Sequence, residues 1–387
     1  MNFRRLRIGI ASAGRFHVLD LARELSQLGH DVRFYSYVPK SRGRRFGLAD
    51  ACQAPVTGWV SPLLAWQRLA PRLGARTQDH LMHLALDRAV AARLEPCDVF
   101  IFMSGIYLEA ARAARRRFGA RLWLERGSAH IETQDEILAT IPGAERPSRQ
   151  TREREVAGYA LADRIVIASR FSERSFAGRP EAAKLFRNPY GVDLEHFPLS
   201  PRPPLGDTLR LIFVGAWSRR KGCDLLTAAV RAAPGVTLTH VGAITDLVFP
   251  SDDARFRHID PVDQLSLKDF YAEADALILA SREEGFGLVL GQAMAMGLPV
   301  ICTDRTGGPD LAHTPALAER IVVAAADDAP ALTEAIAVLR RRLASGAPFQ
   351  RLTDVDRQTL TWRAYAERYS DELVADAAGS RAAGSAP

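Results

Sequence analysis

The stretch Glu284-Gly-Phe-Gly-Leu-Val-Leu-Gly-Gln292 places a carboxylate, a glycine loop and an amide within a few helical turns of one another. An apolar run ending near Ser281 reads as a strand, and helical periodicity begins at about Gly287. Backbone N–H groups and a helix N-terminus therefore face whatever sits over the loop, an environment suited to a diphosphate. Glu284 and Gln292 are separated by roughly two helical turns and fall on one side of such a site, where each can hold a hydroxyl. A second cluster, Phe213-Val-Gly215-Ala-Trp-Ser-Arg219-Arg220-Lys221-Gly222, ends a strand at a glycine and follows it with three cations. Cations so placed can bind a nucleoside diphosphate and stabilise its charge as it departs.

These two stretches, with Gly297-Leu-Pro-Val-Ile-Cys-Thr-Asp-Arg-Thr-Gly-Gly308, resemble glycosyltransferase family 4, whose pattern sets two glutamates with seven residues between them. Glu284 matches the first, which in the family contacts the donor sugar. Gln292 stands at the second, a departure that keeps a hydrogen bond to a ribose hydroxyl but loses its charge. Gly285, Phe286, Gly287 and Leu288 match the rest of the donor loop. Lys221 matches the family lysine, whereas Ala216 replaces an arginine, so that Arg219 or Arg220 would have to supply the second cation. Gly14-Arg-Phe-His17 resembles the family's acceptor-side glycine loop. His130, in Glu125-Arg-Gly-Ser-Ala-His130, sits where the family places a histidine near the reacting sugar, although strand-end histidines more often cap or pack.

The resemblance implies an α/β protein of GT-B architecture, two Rossmann-like domains facing across a cleft. It implies a retaining transfer of sugar from a nucleoside-diphosphate sugar, UDP- or GDP-linked, to a hydroxyl acceptor, with Glu284, Lys221 and His130 in catalytic positions and no metal or other cofactor. The acceptor would be a glycan, a lipid-linked molecule or a small molecule, in bacterial polysaccharide, lipopolysaccharide or glycolipid biosynthesis.

The elements needed to position these residues are legible along the chain. Arg7 to Ala13 reads as a buried strand, Phe16 to Gly29 as a helix closed by glycine, and Asp31 to Tyr37 as a second strand. Strand signals recur at 99–103, 121–125 and 164–168, with helical stretches between them, as a parallel sheet requires. The four prolines from Pro198 to Pro204 mark a linker, and strands follow at 209–214, 237–241, 276–279, 299–302 and 320–323. An acceptor-binding domain over 1–200 and a donor-binding domain over 205–350 are expected, with a helix over about 356–375 returning to the first domain and a flexible tail over 376–387.

A chain of 387 residues with 47% hydrophobic and 25% charged residues has material for two cores and excludes a disordered or fibrous protein. The net charge of +6 is compatible with phosphorylated substrates, anionic lipid or nucleic acid, of which the motifs leave no place for nucleic acid. Four scattered cysteines in apolar contexts read as reduced core residues, and no signal peptide or membrane span is expected, which points to the cytoplasm. Between Trp59 and Gln78, Trp59, Leu63, Leu64, Trp66 and Leu69 alternate with Arg68, Arg72 and Arg76. Such a segment can lie on the anionic inner face of a membrane, or pack on its own domain. Asp354-Val-Asp356 follows no buried strand, and His80 and His83 lack a third ligand, so neither reads as a metal site.

Two rival readings remain. A nicotinamide dehydrogenase also has Rossmann-like halves, but Gly9-Ile-Ala-Ser-Ala-Gly14 is not GxGxxG, and the second strand ends at Ser36-Tyr37 without a ribose-binding acid. A catalytically silent nucleotide-sugar-binding subunit would accommodate Gln292 and Ala216.

Overall fold

The computed structural model describes residues 4–14, 16–69, 75–201, 205–345 and 349–384. Two parallel sheets organise them. The first contains β1 (Arg7–Ala11), β2 (Asp31–Ser36), β3 (Gln53–Pro55), β4 (Val99–Met103), β5 (Arg121–Arg126), β6 (Arg164–Ile167) and β7 (Leu185–Arg187), in the order β3-β2-β1-β4-β5-β6-β7. The second contains β8 (Leu209–Val214), β9 (Val236–Val241), β10 (Phe256–Ile259), β11 (Ala276–Leu279), β12 (Val300–Thr303) and β13 (Ile321–Ala324), in the order β10-β9-β8-β11-β12-β13. Covered by helices on both faces, central strands must be apolar throughout rather than alternating. Val-Phe-Ile-Phe of β4 and Ala-Leu-Ile-Leu of β11 are buried at every position.

In both sheets the strand order reverses direction beside the first strand, between β1 and β4 and between β8 and β11. Loops leaving neighbouring strands there diverge and open a crevice at the strand C-termini. The Gly14 loop follows β1, the Gly215–Gly222 loop follows β8, and the Glu283–Gly287 loop follows β11. This is the GT-B arrangement, with the two sets of loops facing one another.

Strands β3, β7 and β10 were not expected. They span three or four residues and contain Pro55, Arg187 or Arg257 and His258, too short and too polar for a periodic signal. The end of the chain also differs from expectation. Asp354–Gln358 is a separate short helix whose Thr353 and Asp356 form a capping box, which accounts for the paired aspartates. The last helix runs Trp362–Gly384, past the expected end at about 375 and into the stretch read as a tail, and 385–387 lie outside the described residues. Asp376 explains the extension: it accepts from Arg121 at 2.7 and 3.0 Å and from the Trp123 indole at 3.0 Å, both on β5. The helix thus lies on the first sheet, with Tyr365 and Tyr369 fully enclosed.

The segment considered for membrane contact forms parts of two helices, Thr57–Leu69 and Ala75–Arg93. Leu63 and Leu64 pack on the first domain's core, and Leu69 is exposed. Arg72 and the side chains of Trp59, Arg68 and Arg76 lie outside the described residues, as do 202–204 of the proline linker. Among the described residues no helix is long and apolar enough to cross a membrane. All four cysteines are buried and unpaired.

Candidate active site

The loop after β8 turns back on itself at Gly222, whose φ of +68° brings it against the Ala280 carbonyl at the end of β11. A β-carbon there would collide with that carbonyl, so the left-handed turn and the close approach both require glycine. The turn carries Lys221 to the loop after β11, where its ammonium pairs with the Glu284 carboxylate; each side chain is 16% exposed. Burial, and Arg220 after it, draw the ammonium down to about 8, against the opposite pull of the Glu283 carboxylate. Arg282 braces the two loops: its guanidinium grips Asp224 at 2.6 and 2.9 Å, Asp327 at 2.7 Å and the Arg219 carbonyl at 2.7 Å. Arg219 donates its backbone N–H to Asp246 at 2.9 Å, and Arg220 reaches Glu283 at 3.0 Å.

Phe286 is buried and packs edge-on against Tyr190 at 5.3 Å, while its carbonyl accepts from Gly307 at 2.7 Å. Gly287, at φ +85°, opens the Leu288–Ala295 helix. Gln292 is buried on that helix, and its side-chain oxygen accepts from the Tyr271 hydroxyl at 3.0 Å. The carboxamide therefore has its N–H groups left for a ligand, where a carboxylate would offer only acceptors.

From the first domain, His17 bonds through Nε2 to Glu125 at 2.9 Å and stacks on Tyr190 at 4.1 Å. Glu125 is fully buried and also accepts from the Tyr369 hydroxyl at 2.7 Å, so the returning helix fixes the histidine's partner. Gly14 is enclosed in a turn in which the Ser12 hydroxyl donates to its carbonyl at 2.8 Å; Arg15 lies outside the described residues. His130 departs from the expected place beside the sugar. It is 3% exposed and caps the Ile131–Ala139 helix, its Nδ1 accepting from Glu132 at 3.3 Å, with its ring between Tyr159 at 4.9 Å and Phe176 at 4.8 Å. Burial and Arg179 lower it to about 4, so it stands neutral in a closed aromatic site rather than in the cleft.

Two crevices have walls from both domains. One, of about 650 Å³, is lined by Phe16, His17, Leu265, Leu288 and Gln292 among others. The other, of about 1010 Å³, is lined by His80, Ser104, Gln134, Ala216, Ser218 and Arg220 among others. The structure thus brings Lys221 to Glu284 and His17 to the face of Gln292, and leaves His130 apart. Glu125, Tyr271, Arg282 and Glu283 were given no role from sequence. Glu125 carried a detectable signal, a carboxylate closing an apolar strand, whereas Glu283 was masked by its neighbour Glu284.

Residues 208–341 match the family described as Glycosyl transferases group 1. The glycogen synthase of Mycobacterium tuberculosis is 31% identical over 206 residues, covering 49% of this chain and 48% of that protein. A D-inositol 3-phosphate glycosyltransferase of Mycobacterium leprae is 25% identical over 332 residues, covering 78% and 74%. The chain thus spans about half the length of the first of these relatives. Among solved structures, sucrose-phosphate synthase from Thermosynechococcus elongatus superposes with a TM-score of 0.65 at 19% identity, covering 97% of this chain and 100% of that one. HepE of Anabaena, solved with UDP and glucose, gives 0.64 at 14%, covering 96% and 100%. At such identities the structures speak for the fold, and they share the two-domain GT-B form.

Proposed function

Residues 208–341 match the group 1 glycosyltransferases, and from that match we propose that the chain is a retaining transferase moving a sugar from a nucleoside-diphosphate sugar to a hydroxyl acceptor. The observation that carries this reading is the meeting of Lys221 and Glu284 between two glycine turns, at the N-terminal end of the helix that bears Gln292. A diphosphate arriving there takes over Lys221, and the N–H groups at the helix start add to its binding. Glu284, released from the lysine, holds the donor sugar's hydroxyls, and Gln292 donates to the ribose. As the bond from the anomeric carbon to the diphosphate breaks, Lys221 balances the growing charge. The acceptor oxygen bonds the same face of the sugar, and its proton passes to the departing phosphate oxygen. Neither the charge balance nor the proton transfer calls on a metal or another cofactor.

Because HepE was solved with UDP and glucose, UDP-sugars are the first donors to try. The acceptor is proposed to be a glycan or lipid-linked molecule in bacterial polysaccharide, lipopolysaccharide or glycolipid assembly, met in the cytoplasm or at the inner membrane face. Flotation with anionic vesicles at low salt tests the membrane contact. A thermal-shift panel of nucleotide sugars identifies the donor. Anomeric analysis of the product then tests transfer, and an inverted product or no transfer from a donor that binds would overturn the reading. The second outcome would favour a silent nucleotide-sugar-binding subunit, to which Ala216 and the neutral Gln292 lend some support.

A further inference from the structure

Of the adjacent glutamates 283 and 284, it is Glu283 that is completely enclosed, its side chain 0% exposed. Donors reach its carboxylate from both domains. Arg220 of the second domain binds at 3.0 Å, Gln134 of the first at 3.2 Å, and the Ser128 hydroxyl of the first donates to the other oxygen. Behind them Arg126 bonds the Gln134 side-chain oxygen at 2.8 Å and Glu155 at 3.0 Å, which turns the Gln134 amide N–H toward Glu283. Burial works against the charged form, yet Arg220, Ser128 and Arg126 hold the carboxyl below its ordinary range.

A buried carboxylate is tolerated only where donors saturate it. Here the donors belong to two bodies, so saturation exists only while the domains are together. Gly285 repeats the arrangement. Its carbonyl accepts from Ser169 at 2.7 Å and Ser172 at 3.3 Å, and a β-carbon on it would run into the Gly127 carbonyl. Glu284 is therefore flanked, one residue to each side, by points fastened to the opposite domain.

We propose that Glu283 is a positioning residue, an interdomain latch that sets Glu284 and Arg220 at the donor site only when the cleft is closed. The role given to Glu284 rests on the transfer reading above, whereas the latch is a property of the two domains and is read without turnover. Opening leaves Glu283 with Arg220 alone and frees the loop that carries Glu284. Orientation of the bound donor sugar for transfer is thereby tied to closure over it.

Spin labels on cysteines introduced at the exposed Arg116 and Val338, one in each domain, report the interdomain distance, since the native cysteines are buried. In the presence of UDP the parental protein is expected to give one narrow distribution, and Glu283→Gln a broader one reaching longer distances. Turnover by Glu283→Gln should fall about ten-fold with the donor KM within about three-fold. Ser128→Ala should reproduce both effects in part, and the double variant should be no worse than Glu283→Gln alone, because the two groups act through one contact. A distribution unchanged in Glu283→Gln, or Ser128→Ala indistinguishable from the parent, overturns the latch. Should Glu283→Gln fail to fold, Ser128→Ala and Gln134→Ala carry the same test. Distances that respond while neither parent nor variants transfer sugar would retain the latch and remove the transfer reading.

Discussion

Lys221 is the residue on which pH acts most directly, because burial brings its ammonium to about 8. Its affinity for a diphosphate should fall as pH rises through that value, and binding at about pH 8.5 should take up a proton as the anion restores the charge. Calorimetry in buffers of differing ionisation enthalpy measures the uptake, and none would refute the placement. The Lys221–Glu284 pair also changes what the two substitutions should do. Lys221→Ala should weaken diphosphate binding and lower kcat. Glu284→Gln should instead strengthen binding of free diphosphate, since the lysine loses its competing partner, while transfer falls by about 2–4 kcal/mol of transition-state stabilisation, roughly one and a half to three decades. Titration beside steady-state rates tests both variants. His130 offers a separate check. Its folded pKa of about 4 lies below the ordinary 6.5, so the unfolded state binds the extra proton between those values. Its contribution is complete above pH 6.5 and is lost as pH falls toward 4, and His130→Asn, which can still cap the helix, should flatten that slope in thermal melts while retaining transfer.

Among the elements, the turn at Gly222 bears most directly on the site. Gly222→Ala meets both the left-handed backbone and the Ala280 carbonyl, and should cost about 1–3 kcal/mol in denaturant melts while displacing Lys221 and weakening diphosphate binding. An alanine variant with parental stability and affinity would contradict this account. Sequence made such elements readable where apolar density and glycine punctuation coincide: β4, β8 and β11 were anticipated to the residue, and the glycine loops after β8 and β11 were expected where they occur. It did not reveal contacts made across long sequence separations. The Asp376 bonds to Arg121 and Trp123, which hold the last helix to the first sheet, join residues some 250 positions apart and leave no local pattern. The His17–Glu125–Tyr369 chain likewise gathers three elements, and the aromatic site that encloses His130 joins Tyr159 of a helix to Phe176 of a turn, a packing that no periodicity specifies.

At the scale of the whole molecule, the domains are joined by two crossings that touch. Val192 N–H donates to the Leu360 carbonyl at 2.7 Å and the Val192 carbonyl accepts from Trp362 at 3.3 Å, and Gly191 is pressed against the Trp362 backbone. Asp310 adds a second interdomain seam, accepting from the Arg170 backbone at 3.0 Å and the Arg187 guanidinium at 2.9 Å. A nucleoside diphosphate that binds at the cleft should therefore stabilise both domains in one transition, by about 2.7 kcal/mol at a hundred times its Kd. The shift should be the same with and without chelator, and calorimetric scans that show one domain unmoved, or a shift lost in chelator, would count against the cleft or the metal-free site. The returning helix has one more consequence, for synthesis. The first sheet leaves the ribosome early, yet the partners of Trp123, Glu125 and Arg121 are Asp376 and Tyr369, made only after the whole donor domain. The donor domain is complete and able to fold while the first sheet still holds an uncovered Glu125 and exposed aromatics. In translation order, the first domain is begun before the donor domain and completed after it, and a chain stalled between the two would present that unfinished surface to chaperones and proteases.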